Sequence, residues 1–90
     1  MTDIRKGSFC KSAAGHDKGT IYIVMETEKG IAVCDGKFKT LNNMKKKNAK
    51  HLKVLNYTDP VLEEKIAAGK LQNEDIKYSI KQYLTHIDKK

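Results

Sequence analysis

Short alternating runs fill the first two thirds of the chain, and helical spacing takes over in the last third. Ser8-Phe9-Cys10-Lys11-Ser12 sets Phe9 and Lys11 on one side and Cys10 on the other, the period of a strand, and runs out in Ala13-Ala14-Gly15. Gly15-His16-Asp17-Lys18-Gly19 reads as a loop, since two glycines bracketing a polar triplet permit positive φ at both ends. Thr20-Ile21-Tyr22-Ile23-Val24-Met25, rich in β-branched and aromatic residues, is the second strand. Glu28-Lys29-Gly30 then turns the chain into a third, Ile31-Ala32-Val33-Cys34. Asp35-Gly36, a dipeptide favoured in two-residue hairpin turns, predicts a fourth strand over Lys37-Phe38-Lys39-Thr40-Leu41, paired with the third. After Asn42-Asn43, the stretch from Lys45 to Leu55 ends as an alternating fifth strand with Leu52 and Val54 on one side. Five short strands joined by tight turns predict a mainly β unit, a small barrel.

The period changes near Tyr57-Thr58. Asp59 suits an N-cap, Pro60 the first helical turn and Gly69 a stop, with Leu62 and Ile66 on one face between them. Asn73 is positioned to cap a second helix, where Glu74 and Asp75 complement the positive N-terminal end and Ile76, Ile80, Tyr83, Leu84 and Ile87 form one apolar stripe. That stripe either packs on the barrel or docks on another protein. The expected division is a barrel over residues 1–57 and an extension of two helices over 58–90.

Ninety residues, 39% of them hydrophobic and with a single proline, exclude a multidomain enzyme, a repeat array and a disordered tail. Charge sharpens the division. Residues 1–57 hold twelve basic and five acidic residues, whereas 58–90 hold six of each, so the whole excess of +7 lies in the β part. Seventeen of the eighteen basic residues are lysine, which suits broad attraction to a polyanion better than bidentate reading of bases. No apolar run approaches the roughly 18 residues of a membrane span, and Met1-Thr2-Asp3-Ile4-Arg5 precedes no hydrophobic leader, so a cytoplasmic monomer is expected. Cys10 and Cys34, with no zinc-ligand spacing around them, read as two buried free thiols or, alternatively, as one bridge. No metal or other cofactor is expected.

The window Arg5 to Val24, in which polar-apolar alternation leads to Gly15, then a short charged loop, Lys18-Gly19 and a hydrophobic strand, resembles a KOW motif. Lys11-Ser12-Ala13-Ala14-Gly15-His16-Asp17-Lys18-Gly19, with Asp35-Gly36-Lys37 and Lys50-His51-Leu52 downstream, is similar to the small bacterial KOW-domain RNA-binding proteins, relatives of a KOW-containing large-subunit ribosomal protein of archaea and eukaryotes. The resemblance covers residues 5–55 and departs from the family's pattern before the lysine cluster, where this chain has Asn43-Met44 in place of a proline. It implies an SH3-like barrel that binds RNA, ribosomal RNA foremost, in the company of ribosomal proteins, and it implies no catalysis.

The candidate contact residues follow. Gly15 and Gly19 let backbone N–H groups approach phosphate, and Lys11, Ser12, His16 and Lys18 surround them. The bland alternative is a tight turn, and Asp17 opposes phosphate unless it is pinned within the loop. Lys45, Lys46, Lys47, Lys50 and Lys53, with His51 among them, place five cations and no acid in one segment, an RNA surface or simply a solvated face. Phe38, between Lys37 and Lys39, either fills the core or stacks on a base. An enzyme is disfavoured: His16-Asp17 has no nucleophile at motif spacing, and His51 and His86 have no partner. The rival to RNA binding is a protein-interaction adaptor using the barrel or the helix stripe.

Overall fold

The computed structural model describes residues 4–28 and 30–88. Lys29, the centre of the expected Glu28-Lys29-Gly30 turn, and Met1-Thr2-Asp3 of the amino-terminal stretch lie outside them. The chain forms β1 (Phe9–Ser12), β2 (Ile21–Glu26), β3 (Ile31–Cys34), β4 (Lys45–Lys47), a 3-10 turn (Ala49–His51), β5 (Leu52–Val54), α1 (Pro60–Ala68) and α2 (Asn73–Asp88). The strands make one antiparallel sheet in the order β4-β3-β2-β1-β5. Helices of nine and sixteen residues outweigh strands of three to six, so the content is mixed rather than mainly β. Among the described residues β4 and β5 do not pair, and the sheet is open.

Strand β2 is apolar on both sides because both are buried. Ile21, Ile23 and Met25 join Phe9, Cys34, Leu62 and Ile76 in a core on the face covered by the helices. Tyr22 and Val24 join Cys10, Val33 and Leu52 in a second core on the other face. The sheet therefore runs through the middle of the hydrophobic interior, and the helices complete one half of it. Phe9, Tyr57 and Tyr83 interlock there, with Tyr57 edge-on to both at centroid distances of 5.0 and 5.1 Å.

The thiols are both free and buried, which agrees with the first of the two readings. Burial pushes Cys10 up to about 12 and, with a smaller contribution from Asp35, Cys34 up to about 11. They lie on opposite faces of the sheet and two strands apart, about 9–10 Å at the usual strand spacing, beyond the roughly 7 Å a bridge spans.

The fourth strand is not where the Asp35-Gly36 hairpin places it. Asp35 Oδ1 accepts from the backbone N–H groups of Lys37, Phe38 and Lys39 at 2.8–2.9 Å, which withdraws those amides from any ladder. Asp35 and Gly36 in turn donate to the Lys39 carbonyl, closing a compact loop. Lys45–Lys47 pairs with β3 instead, an edge position where lysine is usual although its strand propensity is low.

Asp59 caps α1 as expected, its Oδ1 accepting from Val61 and Leu62 N–H, and Gly69 ends it in the left-handed conformation at φ 70°. Asp59 Oδ2 also accepts from the Ser79 hydroxyl at 2.8 Å, tying the two helices together. Asn73, expected to cap α2, has another partner: its side-chain oxygen accepts from Leu41 N–H at 2.8 Å. The capping position falls to Gln72, whose N–H donates to Asp75 Oδ2, one half of a capping box, while Asp75 N–H donates to the Gln72 backbone carbonyl. The apolar stripe of α2 divides. Ile76, Ile80 and Tyr83 pack on the sheet, whereas Leu84 and Ile87 remain 43% and 46% exposed.

Gly36 marks a close approach of α2 to the connection between β3 and β4. It is buried with φ 79°, and a Cβ there would stand 2.5 Å from Asn73 O and 3.0 Å from Lys77 N, both backbone atoms of the helix. Gly19 has a similar φ of 94° but open space around it. Gly36→Ala is expected to destabilise the fold by about 2–4 kcal/mol, strain and overpacking together, and Gly19→Ala by only about 1–2 kcal/mol. Urea midpoints of the two variants test this, and equal losses would show that α2 does not press on the loop.

Candidate nucleic-acid interface

The glycine loop is organised by Asp17. Its carboxylate accepts from Ser12 Oγ at 2.9 Å, Tyr22 OH at 2.7 Å and Lys47 Nζ at 2.9 Å, and Lys45 Nζ stands 3.0 Å away. Lys47 also donates to Ala14 O at 3.0 Å. The acid that opposed a phosphate role is thus pinned, by side chains from β1, β2 and β4 rather than by loop backbone. Burial pushes the Asp17 carboxyl up, but hydrogen bonds from Tyr22, Lys47, Lys45 and Ser12 outweigh it and hold the group far below the usual carboxylate range. Burial and the bond to Asp17 keep the Tyr22 phenol protonated.

This arrangement redraws the expected contact surface. The side chain of Lys47 is 8% exposed, and Lys45 is half-buried against the same carboxylate, so two of the three consecutive lysines are engaged within the fold by one acid, which offsets one of their two charges. Strand alternation turns Lys46 to the opposite face, where its charge helps, after the N–H groups of Glu28 and Thr27, to lower the Glu26 carboxyl. Lys45-Lys46-Lys47 is therefore not one basic patch. Ser12 is buried, its hydroxyl engaged by Asp17 and Ala14 O. The N–H groups of Lys18, Gly19 and Thr20 donate to Gly15, Ser12 and Asp17 carbonyls, which closes the Gly19 end of the loop as a turn and withdraws those three amides from any phosphate. Gly15, at φ 89°, and His16 and Lys18 remain exposed at its tip.

Further cations without a carboxylate partner lie elsewhere. Lys11 faces Ile21 on one neighbouring strand and Lys53 on the other, so Ile21, Lys11 and Lys53 form one row across three strands. Among the described residues no ion pair involves Lys11, Lys18, Lys37, Lys39, Lys50 or Lys53. At the Ile21 end of this row a groove of about 590 Å³ opens between the sheet and α2, lined by Gly19, Thr20, Ile21, Asp35, Lys37, Lys77, Ile80, Lys81 and Leu84. Phe38 is 73% exposed beside it, with Lys37 Nζ 5.1 Å from its ring centroid. Lys50 and the half-buried His51 belong to the 3-10 turn, away from this groove lining.

Lys77 and Lys81 were hidden by the balanced charge of residues 58–90. Their spacing of four residues on α2 puts both on one helix face, a signal that averaging over the segment erased. His16, next to Asp17 in sequence, is not among the partners of that carboxylate.

The lowered Asp17 group makes a stability contribution that is fully present above its unfolded value near 3.9 and is lost as pH falls toward the folded value below it. Asp17→Asn is expected to lower the urea midpoint at pH 7 and to flatten its decline below about pH 4. Parallel urea titrations of the two proteins between pH 2 and 7 check this, and parallel curves would remove Asp17 from its central place. No protein-family model matches the chain, and no curated protein matches it.

Proposed function

We propose that this chain is an RNA-binding module of KOW type, non-catalytic, whose sheet corresponds to an SH3-like barrel and whose helices flank the binding face. The barrel reading is supported by topology: the two edge strands β4 and β5 are consecutive in sequence, joined by a single 3-10 turn, a connection that suits a curled sheet whose edges approach each other. The RNA reading rests above all on the Lys11–Lys53 pair. Like charges directly opposite on neighbouring strands destabilise a sheet, and no carboxylate among the described residues compensates them. A polyanion laid across the row would supply the missing counter-charge.

Lys37, Lys77 and Lys81 line the groove at the Ile21 end of that row, Lys77 with Glu74 2.9 Å away. One arginine in the whole chain gives little bidentate base recognition, so the fold of the RNA and the positions of its phosphates dominate. Ribosomal RNA, structured and abundant, fits this mode. The adaptor reading keeps one observation in its favour, the exposed Leu84 and Ile87, but Ile76 is buried in the core and Ile80 is partly buried against it.

A salt titration of binding to a structured ribosomal RNA fragment tests the proposal. Four to six phosphate contacts predict a log-log slope of roughly −3 to −5, and Lys11→Ala with Lys53→Ala should reduce its magnitude by about 1.4–1.8. Affinity independent of salt, or a double variant that binds as the parent does, would overturn it.

A further inference from the structure

The groove beside α2 is more than a further stretch of positive surface. Its apolar lining is Ile21, Ile80 and Leu84, and it also carries the three lysines Lys37, Lys77 and Lys81, of which Lys77 stands 2.9 Å from the exposed Glu74 carboxylate. Between them stands a carboxylate, Asp35, and beside Ile21 a hydroxyl, Thr20. Asp35 Oδ1 already accepts three backbone N–H groups, so Oδ2 is the oxygen left for a ligand. A site for phosphate alone has no use for that carboxylate, and an acidic peptide would be repelled by it. A nucleotide satisfies every part: a flat apolar face for the apolar lining, an amino group that donates to the Asp35 carboxylate, and phosphates for the ammonium groups.

Resting on the RNA-binding reading, we infer that this groove receives one unpaired, amino-bearing nucleotide of the bound RNA. The base lies on Ile21, Ile80 and Leu84 and donates its exocyclic amino group to Asp35, and the flanking phosphates meet Lys37, Lys77 and Lys81. A base held in a duplex cannot enter, because its face is stacked and its amino group is paired. The loop that carries Asp35 is held ready: its amides are closed on the Asp35 side chain, and Gly36 is pressed against α2. The row Ile21-Lys11-Lys53 then leads the adjoining backbone out across the sheet.

Three RNA hairpins of one stem sequence, fully paired, with a single bulged cytosine or with a single bulged uracil, provide the probes. The bulged-cytosine hairpin should bind about tenfold or more tighter than the other two. Asp35→Asn keeps the oxygen that the backbone amides need but replaces the second oxygen by an NH2 donor, so it should reverse the order and favour uracil. Leu84→Ala, at an exposed position, should lower the cytosine preference while leaving the thermal midpoint unchanged. Circular dichroism melting of each variant establishes that it is folded. Binding of all three hairpins with equal affinity, still sensitive to Lys11 and Lys53, would overturn the groove assignment and leave the RNA reading standing. Binding of none would overturn both. Tight binding of free cytidine monophosphate to the groove, with RNA binding unaffected by it, would make this a site for a free nucleotide and likewise overturn the placement of RNA there.

Discussion

The seating of α2 against Gly36 governs what this fold can present. The helix backbone comes so close to the β3–β4 connection that no side chain fits between them, and Leu41 N–H is fixed on the Asn73 side chain at the same place. From that contact the helix runs along the sheet, bringing Ile76, Ile80 and Tyr83 onto its strands and leaving Lys77, Lys81 and Leu84 at the margin. The same contact orients the loop that displays Lys37, Phe38 and Lys39. A bulkier residue at position 36 would move both walls of the groove together.

A second organising centre lies at the far side of the sheet. Asp17 gathers hydroxyls and ammonium groups from three strands around a loop that would otherwise be held only by its own turns. Partly buried charge of this kind needs several donors to offset its desolvation, and here four converge. The arrangement explains how a lysine-rich edge strand can lie beside an apolar core: the stems of Lys45 and Lys47 pass along the sheet while their heads meet one carboxylate.

Much of the architecture was legible in the residues because local chemistry and tertiary packing agree there. β3 lies at Ile31–Cys34, as the apolar run indicates, and Asp59, Pro60 and Gly69 bound α1 as capping chemistry requires. The reading failed where a side chain took over the backbone. Asp35 captured the amides that a hairpin strand would have used, and Asn73 turned from its own helix to Leu41, neither of which leaves a mark in periodicity. The candidate surface suffered the same way. Lysine runs announce charge but not its neutralisation, which depends on Asp17 arriving from 28 residues away; and the two lysines of α2 matter only because the helix lies beside Lys37.

The placement of the two thiols on opposite faces of the sheet carries a consequence for ageing of the protein. Within the fold neither sulfur can reach the other, and burial suppresses both thiolates, so oxidants find little to act on. A chain that has opened loses both protections at once. A bridge formed in that state would tie β1 to β3 across β2 in a way the native sheet cannot accommodate, so it would act as a ratchet, removing opened molecules from the population able to refold. The survival of this protein under oxidising conditions is therefore set by how often the sheet comes apart.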